Sequence, residues 1–191
     1  MTDPAKKRAT YDDLYAIPEN AIGEIIDGEL VVTPRPSPEH AQASSVLGAE
    51  IGPAYALGRG GGPGGWIILD EPEVVFAGRG APLVPDLAGW KRERFVRCKE
   101  HNWIDVIPDW ICEVLSPGTV KKDRFTKMAI YRESPEVHHV WLVDPLNKTL
   151  EVFGRHESGG WITLSLFDEN DTVRAEPFPQ AEFALAGLWL G

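Results

Sequence analysis

The apolar residues of this chain recur at two spacings, which predict strands and helices in a mixed order. Runs that alternate or are continuously apolar are typical of strands, and they occupy residues 23–33, 66–76, 83–90, 110–115, 138–144, 149–155 and 161–167. Ser37 followed by Pro38 predicts the start of a long helix, and Pro117 predicts a second helix that runs to about Glu133. This order predicts a mixed α/β or α+β fold in a single domain that spans residues 1–191.

Turn residues and a glycine-rich stretch divide these segments. Asp27-Gly28 lies between two strand-like runs and predicts a hairpin. Asp70-Glu71-Pro72 favours a turn within the run at 66–76. "GRGGGPGG" lacks the Lys-Ser/Thr of a phosphate-binding loop, so we interpret it as a flexible linker. We expect residues 91–100 to form a charged and helical surface segment, and the apolar tail "FALAGLWL" to dock on the body of the domain.

The composition argues against a membrane-spanning, secreted or cysteine-ligated metal protein. No apolar run approaches the ~20 residues that a membrane span needs, and the N-terminus has no apolar stretch of the kind a secretory signal contains. The two cysteines, Cys98 and Cys112, lack metal-ligand spacing, and we expect Cys112 to be a small buried hydrophobe. These features predict a cytoplasmic protein without a membrane partner.

The net charge of −10 argues against generic nucleic-acid binding, because phosphate backbones attract basic surfaces. The charge is uneven, however, since residues 91–132 carry ten basic and six acidic side chains while both flanking regions are acidic. Two interpretations of this basic segment stay open: it is a solvent-exposed charged face, or it places positive charge around a functional site.

Two carboxylate side chains lie in segments whose other residues are mostly apolar and typical of a protein core. Asp86 follows Pro85 in "VPDLAGW", and Glu113 lies within "DWICEVL". A carboxylate in an apolar strand is costly unless it is paired, protonated or coordinated, and two converging acids raise each other's pKa. A hard divalent cation would relieve both problems, which predicts a metal site at the strand ends. The alternative is that Asp86 caps a turn and Glu113 forms a salt bridge with a nearby Lys or Arg.

The predicted helix after Glu113 presents a polar stripe. Asp123, Lys127 and Tyr131 are spaced i, i+4, i+8 and share one face, from which Lys127 would reach back over the sheet toward Glu113. A lysine there would orient a water or offset charge on a phosphate; the alternative is an ordinary Asp123–Lys127 ion pair. The apolar face of the same helix is predicted to include Phe125, Met128 and Ala129.

Six stretches together carry a family resemblance: "GEIIDGELV", "PSPEH", "VPDLAGW", "DWICEVLSPGT", "DRFTKMAIY" and "HHVWLVDP". Over roughly residues 11–190 the chain resembles the Uma-type family of restriction-endonuclease-like proteins. The resemblance implies a PD-(D/E)xK nuclease fold, in which a restriction-endonuclease-like mixed sheet is flanked by helices, here with extra antiparallel strands.

The resemblance also implies roles for single residues. Asp86 would be the acid of the Pro-Asp motif and Glu113 the acid of the second motif. The lysine expected two residues after Glu113 is Leu115 in this chain, and the resemblance implies that Lys127 of the following helix takes its place.

Further residues match the family pattern with less definite roles. Glu24 of the "E-x-x-D-G" hairpin would be an added acid at the site, or alternatively an exposed hairpin residue. His40 would touch substrate or metal, or alternatively serve only the helix terminus. Asp123 and Tyr131 are expected to support the acids and Lys127.

The resulting hypothesis is an endonuclease that hydrolyses DNA phosphodiester bonds. Asp86, Glu113 and the backbone carbonyl of Val114 would hold Mg²⁺ or Mn²⁺, and Lys127 would position the attacking water. The DNA backbone would be guided by basic residues: Lys91, Arg92, Arg94, Arg97, Lys99, Lys121, Lys122 and Arg124.

Since cutting both strands favours two sites, a homodimer is the expected assembly. Three alternatives remain: a catalytically silent binding scaffold, a hydrolase acting on RNA or a small phosphodiester, and a structural oligomer.

Overall fold

A computed structural model describes residues 8–26, 28–76, 82–97 and 99–191 of the chain. Its strands are β1 (Ala21–Ile26), β2 (Glu29–Pro34), β3 (Trp66–Asp70), β4 (Val74–Val75), β5 (Pro82–Leu83), β6 (Leu87–Lys91), β7 (Trp110–Val114), β8 (His139–Asp144), β9 (Thr149–Arg155), β10 (Trp161–Phe167), β11 (Thr172–Val173) and β12 (Phe183–Ala184). Its helices are α1 (Tyr11–Leu14), α2 (Pro38–Tyr55), a π-helical segment (Lys122–Lys127) that continues as α3 (Met128–Glu133), and a 3₁₀ turn (Leu185–Leu188).

Six of these strands form the central sheet in the order β10-β9-β8-β7-β6-β3. β7 and β8 run parallel, and every other neighbouring pair in this sheet is antiparallel. β7 lies inside the sheet and all five of its residues are buried, which explains its nearly continuous apolar sequence. The sheet and its helices confirm the predicted mixed α+β class.

Successive side chains of β7 point to opposite faces of the sheet. Cys112 and Val114 pack in one core with α2, whereas Ile111 and Leu115 pack in a second core with α3. Glu113 belongs by this alternation to the α3 side, which carries it toward the helix that follows β7. Cys112 is fully buried, as predicted.

The predicted hairpin is confirmed, since β1 and β2 pair antiparallel from Ala21↔Pro34 to Ile26↔Glu29. Asp27, the first residue of the predicted turn, and Cys98 lie outside the described residues. The apolar tail also docks as predicted, because Phe183, Leu185 and Leu188 are buried in the core that contains α2.

Three predicted segments differ from the structure, and the third is the helix after β7. The strand expected at 83–90 is divided into β5 and β6, and the break holds Pro85, which has no N–H to donate to a ladder. The helix expected at 91–100 is not formed among the described residues of that segment, where Arg92–Arg94 make only a turn.

The helix after β7 begins at Val120 and not at Pro117, because the carbonyl of Ser116 accepts the N–H groups of Thr119 and Val120 in a turn. The prediction that Phe125 and Ala129 form its apolar face is wrong, since both are exposed. The polar stripe with Lys127 occupies the buried face, and Phe125 projects from the opposite side with 69% exposure.

No helix in the described part of the chain has the length and apolar character needed to cross a bilayer.

Candidate active site

A cleft of about 270 Å³ opens where the β1–β2 hairpin, the N-terminus of α2 and the π-helical segment meet the central sheet. Its polar and charged lining side chains are Glu24, Thr33, Arg35, Ser37, His40, Glu71, Asp86, Glu113, Ser116, Thr119, Lys122, Asp123 and Lys127. The structure thus brings together the two acids, the lysine, Glu24 and His40, which lie far apart in the sequence.

Asp86 occupies the break between β5 and β6. Its Oδ2 accepts the backbone N–H of Val114 at 2.6 Å, and its Oδ1 lies 3.2 Å from Nε2 of His40. The backbone pairing of β6 with β7 ends at Leu87↔Cys112. The Asp86 side chain therefore bonds the backbone of β7 just beyond the point where strand pairing stops.

Glu113 is 2% exposed. Nζ of Lys127 lies 3.2 Å from its carboxylate oxygens, and the Tyr131 hydroxyl donates to Oε1. Burial raises the pKa of Glu113 well above its usual range, although the Lys127 charge acts in the opposite direction. An uncompensated charge at this position would therefore be unfavourable.

Lys127 is the centre of the charged cluster. Its Nζ lies 2.9 Å from Oε1 of Glu24 and 3.9 Å from Oδ1 of Asp123, and it donates to the Val84 carbonyl at 3.0 Å. Burial opposes the charge, but the carboxylates of Glu113, Glu24 and Asp123 outweigh it and raise the pKa of Lys127. The lysine is consequently held as a cation inside the protein.

Glu24 is 3% exposed, so the alternative that it is an exposed hairpin residue is wrong. It accepts the Val84 N–H at 3.1 Å and forms ion pairs with Lys127 and Lys122. Burial alone would raise the pKa of Glu24, but the two lysines outweigh it and lower the pKa. Glu24 therefore stays ionised and fixes the position of Lys127.

His40 lies in the first turn of α2, whose N-cap Ser37 accepts the His40 backbone N–H at 3.4 Å. Burial disfavours the imidazolium, but the hydrogen bond and charge of Asp86 outweigh it and raise the pKa of His40. The other ring nitrogen, Nδ1, is buried and has no hydrogen-bond partner among the described residues.

The basic residues predicted to guide substrate are not equally placed. Lys122 lines the cleft but is paired with Glu24, and Arg124 is paired with Glu151 of β9. Lys121 is exposed and does not line the cleft. Arg94 is held by Asp109, with 2.6 Å between Nη1 and Oδ2.

Glu71 is a cleft residue that the sequence predicts only as part of a turn. Its backbone is left-handed, with φ of 44°, and its N–H donates to the Asp86 carbonyl at 3.0 Å. Burial, together with the charges of Asp70 and Asp86, raises its pKa. The turn sequence Asp70-Glu71-Pro72 was the signal available, but it did not show which way Glu71 would face.

The cleft contains more acidic than permanently cationic side chains, since five carboxylates face Arg35, Lys122 and Lys127. Its donors are oxygens of the kind that hard divalent cations prefer. No group of three or more His, Cys, Asp or Glu side chains within the described ranges forms a ready-made metal centre. One or two carboxylates with waters and substrate oxygens suffice for Mg²⁺, however, so the donor set fits such an ion.

Comparison with known proteins gave a family and a structural relative. A crystal structure described as "a putative nuclease belonging to DUF820" from Anabaena variabilis ATCC 29413 superposes with a TM-score of 0.72. It is 21% identical and covers 94% of this chain and 97% of its own, which shows that the two share a fold.

No curated protein matches the chain. A family model described as "Uma2: Putative restriction endonuclease" matches residues 8–186. Because this match spans nearly the whole chain, the protein belongs to the Uma2 family of putative restriction endonucleases.

Proposed function

We propose that this protein is a metal-dependent endonuclease that hydrolyses DNA phosphodiester bonds at the cleft around Asp86, Glu113 and Lys127. The observation that carries the proposal is the convergence of these three side chains. The ammonium of Lys127 lies 3.2 Å from the Glu113 carboxylate, although Leu115 stands where a nuclease of this type would place its lysine. The family and the shared fold support the same activity.

Each residue has a distinct role in this proposal. Asp86 and Glu113, joined by the Val114 carbonyl, would hold Mg²⁺ or Mn²⁺, which when bound neutralises phosphate charge and lowers the pKa of water. Lys127 orients the attacking water and offsets negative charge that develops on the phosphate. Glu24 holds Lys127 in place, since their charged atoms lie 2.9 Å apart.

A catalytically silent scaffold is the competing function. A chain that had lost catalysis would have no need for a buried Glu113 whose ionisation burial disfavours. The retained lysine beside this acid therefore favours the nuclease. Cleavage of both strands of a duplex favours two such clefts, so we propose that the active form is a homodimer.

Nicking of supercoiled plasmid tests the proposal, with wild type compared with Asp86→Asn and Glu113→Gln in Mg²⁺, Mn²⁺ and EDTA. We expect metal-dependent nicking that both substitutions reduce by at least about 100-fold, the size of effect typical when a group that stabilises transition-state charge is removed. The conservative replacements keep hydrogen-bonding groups in place of the acids, and melting curves establish that both variants are folded.

Equal nicking by all three proteins would reveal a contaminant and contradict the assignment of these acids. RNA and small phosphodiesters tested in parallel distinguish the DNA proposal from a hydrolase with another substrate.

A further inference from the structure

A second cleft of about 300 Å³ lies beside the catalytic cleft. It is formed by α1 and the residues that follow it, by the start of β1, and by the turn that contains Glu71 and Glu73. Ile22, Glu71 and Val84 line both clefts, so the two share a wall. The two clefts are therefore immediate neighbours on the molecule.

The second cleft presents an aromatic surface. Tyr15 is 75% exposed, and its ring lies edge-to-face with Tyr11 at a centroid distance of 5.6 Å. Tyr11 in turn contacts the ring of Trp103 at 4.8 Å, and Trp103 is stacked on His101 at 3.9 Å. A row of rings thus supports one open aromatic face, which is the kind of platform on which bases stack.

The charges of this cleft select against phosphate. Glu71 and Glu73 line it, and within the described parts of the chain no Lys or Arg does. Glu73 is also held in place, because the Tyr11 hydroxyl donates to its Oε2 at 2.6 Å. Carboxylates repel a phosphate but accept hydrogen bonds from the exocyclic amino groups of bases.

We propose that this second cleft binds an unpaired nucleobase adjacent to the scissile phosphate, with the base stacked on Tyr15. This inference rests on the proposed function, and it adds the class of substrate. A base inside a continuous duplex has both faces covered by its neighbours, so it cannot reach Tyr15 without leaving the stack. The preferred substrate is therefore single-stranded DNA, or a duplex with an unpaired nucleotide at the cut site.

The test uses the inactive variant Glu113→Gln in Mg²⁺ with short single-stranded DNA that carries one 2-aminopurine, whose fluorescence falls on stacking. Tyr15→Leu and Tyr15→Phe are each added to this background. Because the Tyr15 side chain is 75% exposed, neither change should disturb folding. Leu146→Ala serves as the control, since it alters another exposed side chain, 77% exposed, at the β8–β9 turn.

We expect Tyr15→Leu to weaken single-strand binding at least about 5-fold, the lower end of base stacking on an aromatic side chain, and to abolish the quenching. Tyr15→Phe and Leu146→Ala should bind and quench like the Glu113→Gln parent, and affinity for blunt duplex of the same sequence should be unaffected.

The subsite is overturned if Tyr15→Leu binds single strands as tightly as the parent, or loses affinity equally for both forms. It is also overturned if the parent binds no DNA. Plasmid nicking by the wild type then separates the two proposals. Metal-dependent nicking would support the nuclease without the base subsite, and its absence would contradict both.

Discussion

Among single residues, Glu113 and Lys127 form a pair of opposite charges whose ionisation is opposed by burial. Both are buried, with 2% and 3% exposure, and the charge of Glu113 is favoured by the Lys127 ammonium 3.2 Å away, whereas the neighbouring carboxylates oppose it. Removing one partner of a buried ion pair costs far more than an exposed pair contributes, because the remaining charge stays desolvated. The cation is the more critical member, since Glu24, Glu113 and Asp123 all depend on it.

We predict that Lys127→Met lowers the free energy of unfolding by about 3–5 kcal/mol near neutral pH. The loss should shrink as the pH falls from about 8 to about 5. In the variant, the buried acids without their cation have raised pKa values, so the folded state gains stability by taking up protons. In the wild type, Glu24 has a pKa lowered from 4.5, so the stability that it contributes is constant between pH 8 and pH 5 and is lost only below that range.

Urea unfolding at both pH values measures this difference. Lys121→Met is the matched control, because this lysine lies on the same helix and is exposed. It should change stability by less than about 0.5 kcal/mol. An equal loss for Lys127→Met at both pH values would contradict the electrostatic explanation.

The residues of the cleft differed in how far the sequence could predict them. Asp86 and Glu113 were visible because a carboxylate in an apolar run is unusual, and Lys127 was visible because it shares a helix face with Asp123. Glu71 was not, because its direction depends on a left-handed backbone that an Asp-Glu-Pro turn does not specify. The burial of Glu24 depends on packing of the hairpin against the rest of the chain, which strand periodicity does not report.

At the scale of elements, α2 places His40 in the cleft and also covers one face of the sheet. The N-terminus of α2 was predictable for two reasons. The Ser37 side chain accepts a backbone N–H of the first turn, and the fixed φ of Pro38 suits the first helical position. The π-helical segment was not predictable, because the sequence shows which side chains share a face but does not specify the number of residues per helical turn. The orientation of Phe125 was predicted wrongly for a different reason: the buried face of this helix is the polar one with Asp123 and Lys127, and Phe125 lies opposite it.

We predict that Ser37→Ala lowers the free energy of unfolding by about 0.5–1 kcal/mol, since it removes the acceptor for the His40 N–H. Ser45→Ala in the same helix is the control, because Ser45 is exposed and alanine is the better helix former. Thermal melting of the two variants measures the effect. A loss as large for Ser45→Ala as for Ser37→Ala would indicate that the N-cap contributes nothing.

For the molecule as a whole, the C-terminal turn completes the core on the α2 side of the sheet. Leu188 is fully buried there, whereas Leu190, two residues later, is 46% exposed. Docking of the tail was predictable from its apolar sequence, but the partner was not, because nothing local in "FALAGLWL" specifies a contact with a helix more than 100 residues earlier.

We predict that Leu188→Ala destabilises the protein by about 2–5 kcal/mol, the range for truncating a buried leucine. Leu190→Ala should stay within about 0.5 kcal/mol of wild type. Urea denaturation distinguishes the two, and similar losses would show that the tail docks differently. Nicking per folded molecule should be unchanged in both, because the tail lies on the opposite face of the sheet from Glu113.

The bond from the Val114 N–H to Asp86 has an evolutionary consequence. Selection for folding alone would retain a hydrogen-bond acceptor at position 86, because without it a backbone donor of β7 loses its partner. The same selection would allow the buried pair at positions 113 and 127 to be replaced together by apolar residues, because burial disfavours the ionised form of Glu113. In descendants of this chain, an acid kept at position 113 together with a lysine at position 127 would therefore be the mark of a cleft still under selection, whereas an acceptor kept at position 86 would not.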